Sequence, residues 1–518
     1  MGLVREFDSQ SDVATYADVL SFPGSSPESK RLVEHLLEED REAHHCLYGL
    51  GFHNHLSHHL LAAYDFGATP PLLQAIVDAE QNELLDVHTD DIKKKTILIQ
   101  EVKIDERNWT QFLGQDRYYA NLATFFTHEV KRLGGKEAYE HYIFSNAAHR
   151  NGAYMLERFV AGAVHPLIQI GYAFEFNSDA MVAQALAQAA IHDAFHPDLF
   201  PWNVPYDIPE TQTPNSNGHV TEPAPNVPPR LHARGETILS ILRQMYDSEI
   251  LTPVLPYDPN ALLSQRRRDA LTPARTAEIR RLAALWSYMP DLTPTELAER
   301  TEELFFVTTL LFAGTGRAGR KPRLDFFLMH MLNSTIFVPA LAAPLRSDTA
   351  RAQLLTAQLT VVLAYVLLRG RPRVDPELLM SYTAVPLPPS LRAAPILPGG
   401  PTPGALGDPT DHAQVNPWPA LITHVLPARD AHTIKALRAL YVGAQRYADV
   451  PAGAVIGAVD CEGRETHKGA RALDGTVFVR AAGVMVDNMG WVGPGEAQEA
   501  GAWDRSALGW DAAWVGSD

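Results

Sequence analysis

With 518 residues, 46% of them apolar, the chain has enough material for a large buried core, and this composition excludes a disordered protein. Its formal net charge of −17 repels phosphate backbones, which excludes nucleic acid as an expected partner. No apolar run reaches the roughly 20 residues of a membrane-spanning helix, and the N-terminus lacks the apolar segment of a signal peptide. Cys46 and Cys461 alone cannot form a disulfide framework. We therefore predict a cytoplasmic protein with no membrane partner.

Helical periodicity runs through most of the chain and predicts a mainly α fold. The length would suit roughly two to four domains, but it also suits one large helical domain over residues 1–518, which is our prediction. The Pro-rich stretches at 197–230 and 383–417 predict long loops, the first of them a loop or lid. We expect a small irregular C-terminal region, in which residues 476–479 have the composition of a strand.

The stretch from Phe52 to Ala68 is rich in Leu, Ala and His and has no glycine or proline before Gly67, which predicts a helix that ends near Gly67. On this helix, His55, His58 and His59 lie at i, i+3 and i+4 and project from one face. Neutral imidazole is a common ligand of iron, zinc and copper and a common general base. The stretch therefore predicts half of a metal site, although histidines satisfied by the core or by solvent would give the same pattern.

An almost wholly apolar segment, residues 162–176, carries a few polar side chains that need partners inside the protein. His165 precedes Pro166, so we expect it at a break in a helix, where its ring can face a cavity. A buried histidine bonded to a backbone carbonyl would explain His165 equally well. Gly162 and Gly171 are expected to allow close approach of neighbouring groups.

A later apolar segment begins at Asp325, which we expect to cap a helix. His330 and Asn333 would share one side of this helix. Their presence among apolar residues indicates either part of a site or a hydrogen-bonded pair buried in the core.

Two other patterns place polar side chains at helical spacing. His192 and His196 are a second i, i+4 pair, for which we expect a supporting or surface role. On the last predicted helix, His432, Lys435 and Arg438 form a polar stripe opposite leucines. A solvated helix face would produce the same stripe.

Four blocks of the sequence match one known family when they are taken together and in order. The blocks are His53-Asn54-His55-x-x-His58-His59 before Tyr64 and Gly67-Ala68; Gly162-x-x-His165-Pro166-Leu167-Ile168 with Gly171-Tyr172; Asp325-Phe326-Phe327-Leu328-Met329-His330; and His432-x-x-Lys435-x-x-Arg438-Ala439-Leu440. The chain resembles the questin oxidase-like family of fungal polyketide pathways over residues 40–514.

The resemblance implies oxidative cleavage of an anthraquinone-type ring, with an aromatic polyketide and dioxygen as substrates. Some members are Baeyer–Villiger oxidases, and another branch is associated with a non-haem iron site of four histidines and a carboxylated lysine. Carried over by motif, the metal ligands here would be His55, His59, His165, His330 and Lys435. The choice of His59 over His58 rests on the i, i+4 spacing from His55. We further predict His58, Tyr172 and Asn333 as catalytic residues.

Three functions follow from these observations. The first is an oxygenase that cleaves the ring with dioxygen at the iron site, while His58 or another histidine of its helix takes a phenolic proton. The second is a metal-free or NADPH-dependent Baeyer–Villiger monooxygenase on the same substrates. The third is a non-catalytic helical protein that binds an aromatic pigment.

A conventional nicotinamide site is not predicted. The run from Gly314 to Gly319 has the Gly-x-Gly-x-x-Gly spacing, but it follows a helix rather than a strand. We interpret it as a turn between helices. The sequence makes no prediction about the oligomeric state.

Overall fold

The computed structural model of the chain describes residues 20, 22–49, 51–97, 102–203, 229–287, 291–392, 403–407, 415–493, 496 and 501–516. The loop predicted at 197–230 therefore lies mostly outside the described residues, as do residues 393–402 and 408–414 of the loop predicted at 383–417. Within the described ranges the chain forms 21 α-helices and two small antiparallel sheets, so the predicted mainly α fold is confirmed.

The helices and strands follow one another in this order along the chain. The helices of the first half are α1 Pro27–Ala43, α2 Leu56–Asp65, α3 Pro70–Glu80, α4 Tyr119–Leu133, α5 Gly135–Tyr139, α6 Asn146–His149, α7 Met155–Phe159, α8 Ala161–Glu175, α9 Asp179–Ile191 and α10 Ile238–Asp247. Those of the second half are α11 Leu263–Ala270, α12 Pro273–Ser287, α13 Pro294–Ala313, α14 Phe326–Thr335, α15 Val338–Ala342, α16 Asp348–Leu368, α17 Pro376–Ser381, α18 Pro389–Arg392, α19 Trp418–Val425, α20 Ala431–Tyr447 and α21 Val477–Met489. The strands β1 Leu47–Tyr48 and β2 Phe52–His53 pair with each other, as do β3 Thr89–Asp91 and β4 Thr96–Ile97.

Helix α2 is shorter at its start than the sequence predicts. Phe52 and His53 pair with β1, and the side-chain oxygen of Asn54 accepts the backbone N–H of Leu56 at 2.9 Å. A side-chain acceptor just before a helix satisfies an N–H that has no partner within the helix, so α2 begins at Leu56 and His55 precedes it. The end is as predicted, because Gly67 with φ of +88° follows the last turn.

Helix α16 is a buried helix of the core. It is long and apolar enough to cross a membrane by length and composition alone, but 89% of its most apolar window is buried inside the protein. A helix that is apolar on all sides is expected to be buried in this way. The glycine run at 314–319 forms the predicted turn between α13 and α14.

The strand that the composition of residues 476–479 predicts does not form. Val477 and Phe478 begin helix α21, and both are fully buried. Phe478 packs so closely on α20 that a Cβ at Gly443 would lie 2.6 Å from its ring. Burial against a neighbouring helix therefore overrides the β preference of the valines.

Gly171 lets α8 approach the residue before α15 at close range. A Cβ at Gly171 would lie 2.2 Å from Cγ of Phe337, which is far inside normal contact. The sequence-based expectation of close approach at Gly171 is confirmed.

Replacing Gly171 by alanine is expected to lower the free energy of unfolding by roughly 1–3 kcal/mol, because Phe337 or the helix must move. Gly404→Ala is the matched control, since a Cβ at Gly404 would meet nothing within 4 Å. Urea unfolding of both variants measures the difference, and equal stabilities would contradict the packing argument.

Candidate metal centre

Three histidines from separate parts of the chain meet at one point. His55 precedes α2, His165 lies in α8 and His330 lies in α14. One ring nitrogen from each lies within 4.8 Å of the others, and Nε2 of His55 is 2.9 Å from Nε2 of His165. We call His55, His165 and His330 the histidine triad.

A left-handed turn aims His165 at the triad. Gly162, Ala163 and Val164 have φ values of 55°, 52° and 59°, so the helix is broken just before His165, as the sequence predicts. Positive φ is costly for a β-branched residue such as Val164. A Cβ at Gly162 would lie 2.8 Å from Nε2 of His53, so glycine is required where this turn passes the neighbouring imidazoles.

Backbone carbonyls fix the orientation of two triad rings. Nδ1 of His165 donates to the Gly162 carbonyl at 2.6 Å, and Nδ1 of His330 donates to the Phe326 carbonyl at 2.7 Å. A neutral imidazole that donates through Nδ1 presents Nε2 as a lone-pair acceptor. Nε2 of His330 is buried and has no hydrogen-bond partner among the described residues. The carbonyl-bonded histidine expected from sequence is thus present, and the same bond prepares the opposite nitrogen for a ligand.

Burial keeps the triad uncharged. It is the largest effect that lowers the pKa of each triad histidine well below the usual value, and nearby Lys435 and neighbouring histidines lower these pKa values further. Neutral imidazole is the form that binds metals, so the triad is ready to coordinate at neutral pH.

His432 adds a fourth imidazole that the sequence analysis did not assign as a ligand. Its ring centroid lies 4.4 Å from that of His55 and 5.2 Å from that of His330. Nδ1 of His432 bonds to the Asp430 carboxylate at 2.9 Å, while its Nε2 is buried without a partner in the described part of the chain. A carboxylate behind a histidine is the usual support of a metal ligand. The sequence signal for His432 was the polar stripe that it forms with Lys435 and Arg438. In the structure this stripe is buried and does not face solvent.

The structure places His59 outside the triad. Nδ1 of His59 lies 2.5 Å from Oε1 of Glu80, at the end of α3. The expected i, i+4 convergence with His55 assumed that both residues belong to one helix, whereas His55 precedes the first turn of α2. The Glu80 carboxylate therefore holds Nδ1 of this ring, and its Nε2 is buried without a hydrogen-bond partner among the described residues, as at His432, but His59 does not join the convergent nitrogens of the triad.

Lys435 lies one turn after His432 on α20 and is buried, with 2% of its surface exposed. Burial lowers its pKa from 10.5 to about 7, so a large fraction of the amine is neutral at neutral pH. Its Nζ has no hydrogen-bond partner within the ranges that the structure describes. A buried neutral amine beside imidazoles is both a nucleophile and a proton acceptor.

The predicted catalytic residues lie at different places around the triad. The His58 ring stacks on Tyr172 with centroids 5.1 Å apart, and its centroid is 6.3 Å from that of His165. Burial and Lys435 lower the pKa of His58 well below its usual value, so the ring is neutral. Asn333 donates to the sulfur of Met329 at 3.0 Å, and its Oδ1 is buried without a partner among the described residues.

A further pair of histidines supports the triad from behind. The His53 ring stacks on His165 with centroids 3.8 Å apart and an interplanar angle of 3°. Nε2 of His53 lies 2.9 Å from Nε2 of His192. The supporting role expected for His192 agrees with this contact, but α9 ends at Ile191, so His192 and His196 do not form a helical pair.

The donor set fits a transition metal. Three neutral imidazoles converge, a fourth adjoins them, and two of these four histidines have a buried Nε2 with no protein partner among the described residues. Nitrogen donors of this kind suit iron, zinc and copper rather than calcium or magnesium.

If the triad and His432 bind a metal, substitutions at these residues are expected to weaken binding and substitutions elsewhere are not. In protein stripped of metal and titrated with Co²⁺, His165→Ala and His432→Ala are expected to weaken Co²⁺ binding at least about tenfold, because each removes one imidazole of the donor set. His59→Ala is expected to change the affinity little. Absorption of bound Co²⁺ measures the affinities, and the exposed His35→Ala is the control. Strong loss in His59→Ala with none in His432→Ala would favour the ligand set predicted from sequence.

A buried ion-pair group connects the elements that carry the histidines. Nε of Arg438 lies 2.7 Å from Oδ2 of Asp65 in α2, and its NH1 lies 2.9 Å from Oε2 of Glu175 in α8. Burial alone would lower the pKa of Arg438, but Glu175 and Asp65 raise it above its usual value. The guanidinium also lies 5.4 Å from the ring centroid of Tyr172.

Arg438→Met is expected to lower the free energy of unfolding by roughly 3–5 kcal/mol, because it leaves two buried carboxylates without their cation. Arg346→Met removes an exposed ion pair with Glu137 and is expected to cost at most about 1 kcal/mol. Urea unfolding compares the two variants. Similar losses would show that the buried group contributes no more than a surface pair.

Comparison with known proteins places this arrangement in a family. Residues 52–440, which include the triad, His432 and Lys435, match the model of the family described as Questin oxidase-like. A Baeyer-Villiger oxidase of Pestalotiopsis microspora is 25% identical over 375 residues, which cover 70% of this chain and 75% of the relative. The Baeyer-Villiger oxidase mdpL of Emericella nidulans is 27% identical over 365 residues (68% and 73%), and the questin oxidase of Aspergillus terreus is 23% identical over 351 residues (67% and 71%). The chain therefore belongs to the questin oxidase-like family and is an oxidoreductase.

Proposed function

We propose that the protein is an oxygenase of secondary metabolism that cleaves a ring of an anthraquinone-type polyketide, or of its hydroquinone, with dioxygen at a histidine-rich non-haem iron site. The observation that carries this proposal is the convergence of three neutral imidazoles from three separate elements within 4.8 Å. Core packing does not require three polar rings to meet with ring nitrogens facing one another.

The triad and His432 would hold the iron, and an iron ion bound there would supply the binding and activation of dioxygen. The chain itself contributes the orientation of the imidazoles. Carbonyl bonds at Nδ1 of His165 and His330, and the Asp430 carboxylate at His432, hold each ring so that Nε2 is directed away from its support. Metal-site rigidity of this kind raises affinity.

Lys435 is proposed to complete the site as a carboxylated lysine. An ammonium group cannot coordinate a metal, but the neutral amine that burial favours can add through Nζ to the carbon of carbon dioxide and lose a proton. The product is a carbamate anion with oxygen donors. Its negative charge would offset the positive charge that a metal brings into a buried place.

His58 is proposed to accept the phenolic proton of the substrate at a ring nitrogen. Both of its nitrogens are buried with no hydrogen-bond partner in the described part of the chain. Loss of that proton makes the aromatic ring electron-rich, which favours attack by oxygen. Tyr172 stacks on His58 and Arg438 adjoins Tyr172, so these two residues would position the base.

A second candidate is a metal-free or NADPH-dependent Baeyer–Villiger monooxygenase on the same substrates. Two of the relatives reported above are named Baeyer-Villiger oxidases, which favours it. Such a reaction inserts one oxygen atom beside a ring ketone and reduces the other to water with two electrons from a reductant. The triad would then serve as bases and hydrogen-bond donors. A pigment-binding protein without activity is not favoured, because the family is one of oxidoreductases.

Labelled oxygen and metal analysis separate the two candidates. Protein purified without chelators is expected to contain iron, and with ¹⁸O₂ and an anthraquinone hydroquinone it is expected to place both labelled atoms in the ring-opened product. His330→Ala is expected to lose iron and activity together, while the exposed His35→Ala keeps both. Full activity after chelation, with one labelled atom and consumption of NADPH, would overturn the iron proposal in favour of the monooxygenase.

A further inference from the structure

A large cleft is lined by residues other than those of the histidine triad. It encloses about 1370 Å³ between the end of α10, the turn after α16 and residues 508–514. None of the triad histidines, His58, His432 or Lys435 lines it. Its size is ample for an organic ligand, since such ligands occupy pockets of roughly 300–1,000 Å³. We call it the cationic cleft.

The acidic residues of the cationic cleft are already engaged. Asp511 pairs with Arg317 at 2.5 Å, and Glu377 pairs with Lys468 at 2.7 Å. Asp375 accepts the backbone N–H of Leu378 at 2.9 Å and caps α17. The carboxylates that line the cleft therefore have partners of their own.

Two arginines of the cleft have no carboxylate partner among the described residues. Arg371 donates to the carbonyls of Met245, Tyr246 and Ser248, the nearest at 2.7 Å. Arg373 is exposed, and its guanidinium lies 5.0 Å from the ring centroid of Tyr246. Burial lowers the pKa of Arg371, and the nearby positive charge of Arg373 lowers that pKa further. Four cationic side chains thus line the cleft against three carboxylates, an excess of one positive charge in a chain whose formal net charge is −17.

His467 adds an unused donor and acceptor to the same wall. Both of its ring nitrogens are buried and have no hydrogen-bond partner within the described ranges. Burial, together with the charges of Arg243 and Arg373, lowers its pKa to about 4, so the ring is neutral at neutral pH. A neutral imidazole offers one N–H donor and one lone pair, and buried polar groups of this kind normally have a partner.

Aromatic side chains form the remaining wall of the cationic cleft. Trp510 lies against Gly370 so closely that a Cβ there would be 2.2 Å from the indole. Tyr257 packs on Trp510 with ring centroids 5.4 Å apart, and Trp514 and Tyr246 also line the space. Aromatic walls beside guanidinium groups recognise flat rings that carry negative charge.

We infer that the cationic cleft is a second ligand site, separate from the metal centre, which binds an organic anion with a flat ring. The anionic group, a phosphate or a carboxylate, would lie at Arg371 and Arg373, and rotation of the buried His467 ring toward the cleft would let it hydrogen-bond this group. A nucleotide and an aromatic acid share this chemistry. The inference does not rest on the proposed oxygenase activity, because none of the cleft residues belongs to the metal centre.

Calorimetric titration of the full chain tests the inference with three probes: adenosine 2′,5′-bisphosphate, anthraquinone-2-carboxylate and inorganic phosphate. At least one aromatic anion is expected to bind saturably and more tightly than inorganic phosphate. Arg373→Glu is expected to weaken that binding at least about tenfold, because it replaces an attractive charge by a repulsive one. Arg107→Glu makes the same charge change at an exposed site that does not line the cleft and is expected to leave binding unchanged.

The two aromatic probes identify the source of the anion. Binding of the bisphosphate alone supports a nucleotide, and binding of the carboxylate alone supports an aromatic acid, provided that Arg373→Glu weakens it. His467→Leu provides a second variant and is expected to reduce affinity several-fold with an unchanged thermal unfolding midpoint. No saturable binding, binding that is equal in Arg373→Glu, or phosphate binding as tight as that of the aromatic probes would each overturn the inference.

Discussion

Two buried guanidinium groups fix the positions of the histidines. Arg438 joins α20 to Asp65 of α2 and Glu175 of α8, and Arg369 at the end of α16 lies 2.7 Å from Asp325, the cap of α14. Each charge is at most 1% exposed in its side chain, so separation of any pair would leave an ion in the core. Arg438 therefore connects the helices that carry His165 and His432 with the one that His55 precedes, and Arg369 separately holds the start of the helix that carries His330. Such rigidity suits a metal centre, whose ligands must remain within a narrow distance range.

The same burial that makes these ion pairs necessary also sets the chemistry of the site. It is the largest effect that lowers the pKa values of the triad, and it brings the pKa of Lys435 to about 7. The guanidinium groups stay charged because carboxylates adjoin them. For Lys435 and His432, burial outweighs the nearby Asp430 carboxylate and lowers their pKa values.

Local patterns in the sequence predicted much of the fold and part of the candidate site. Long-range contacts determine the remaining features of the site. The mainly α fold, the helix break before His165, the cap at Asp325 and the end of α2 at Gly67 follow from residues close to each other in sequence. The assignment of His59 depended on where α2 begins and on Glu80, twenty-one residues away, and neither can be read from the spacing of histidines. His432 was undervalued because a polar stripe is equally typical of a solvated face, and only the packing of α20 on α2 and α14 shows that this face is buried.

The charge near the histidine triad bears on the choice between the proposed iron-dependent reaction and the metal-free one. A divalent metal held only by neutral imidazoles would bring two positive charges into a place where Lys435 and the histidines already disfavour a proton. A carbamate on Lys435 would supply an anionic ligand and remove the one amine that opposes the metal. Without that anion, the same low dielectric instead favours a neutral base and a metal-free reaction. The two proposed reactions therefore differ most in the state that each requires of Lys435.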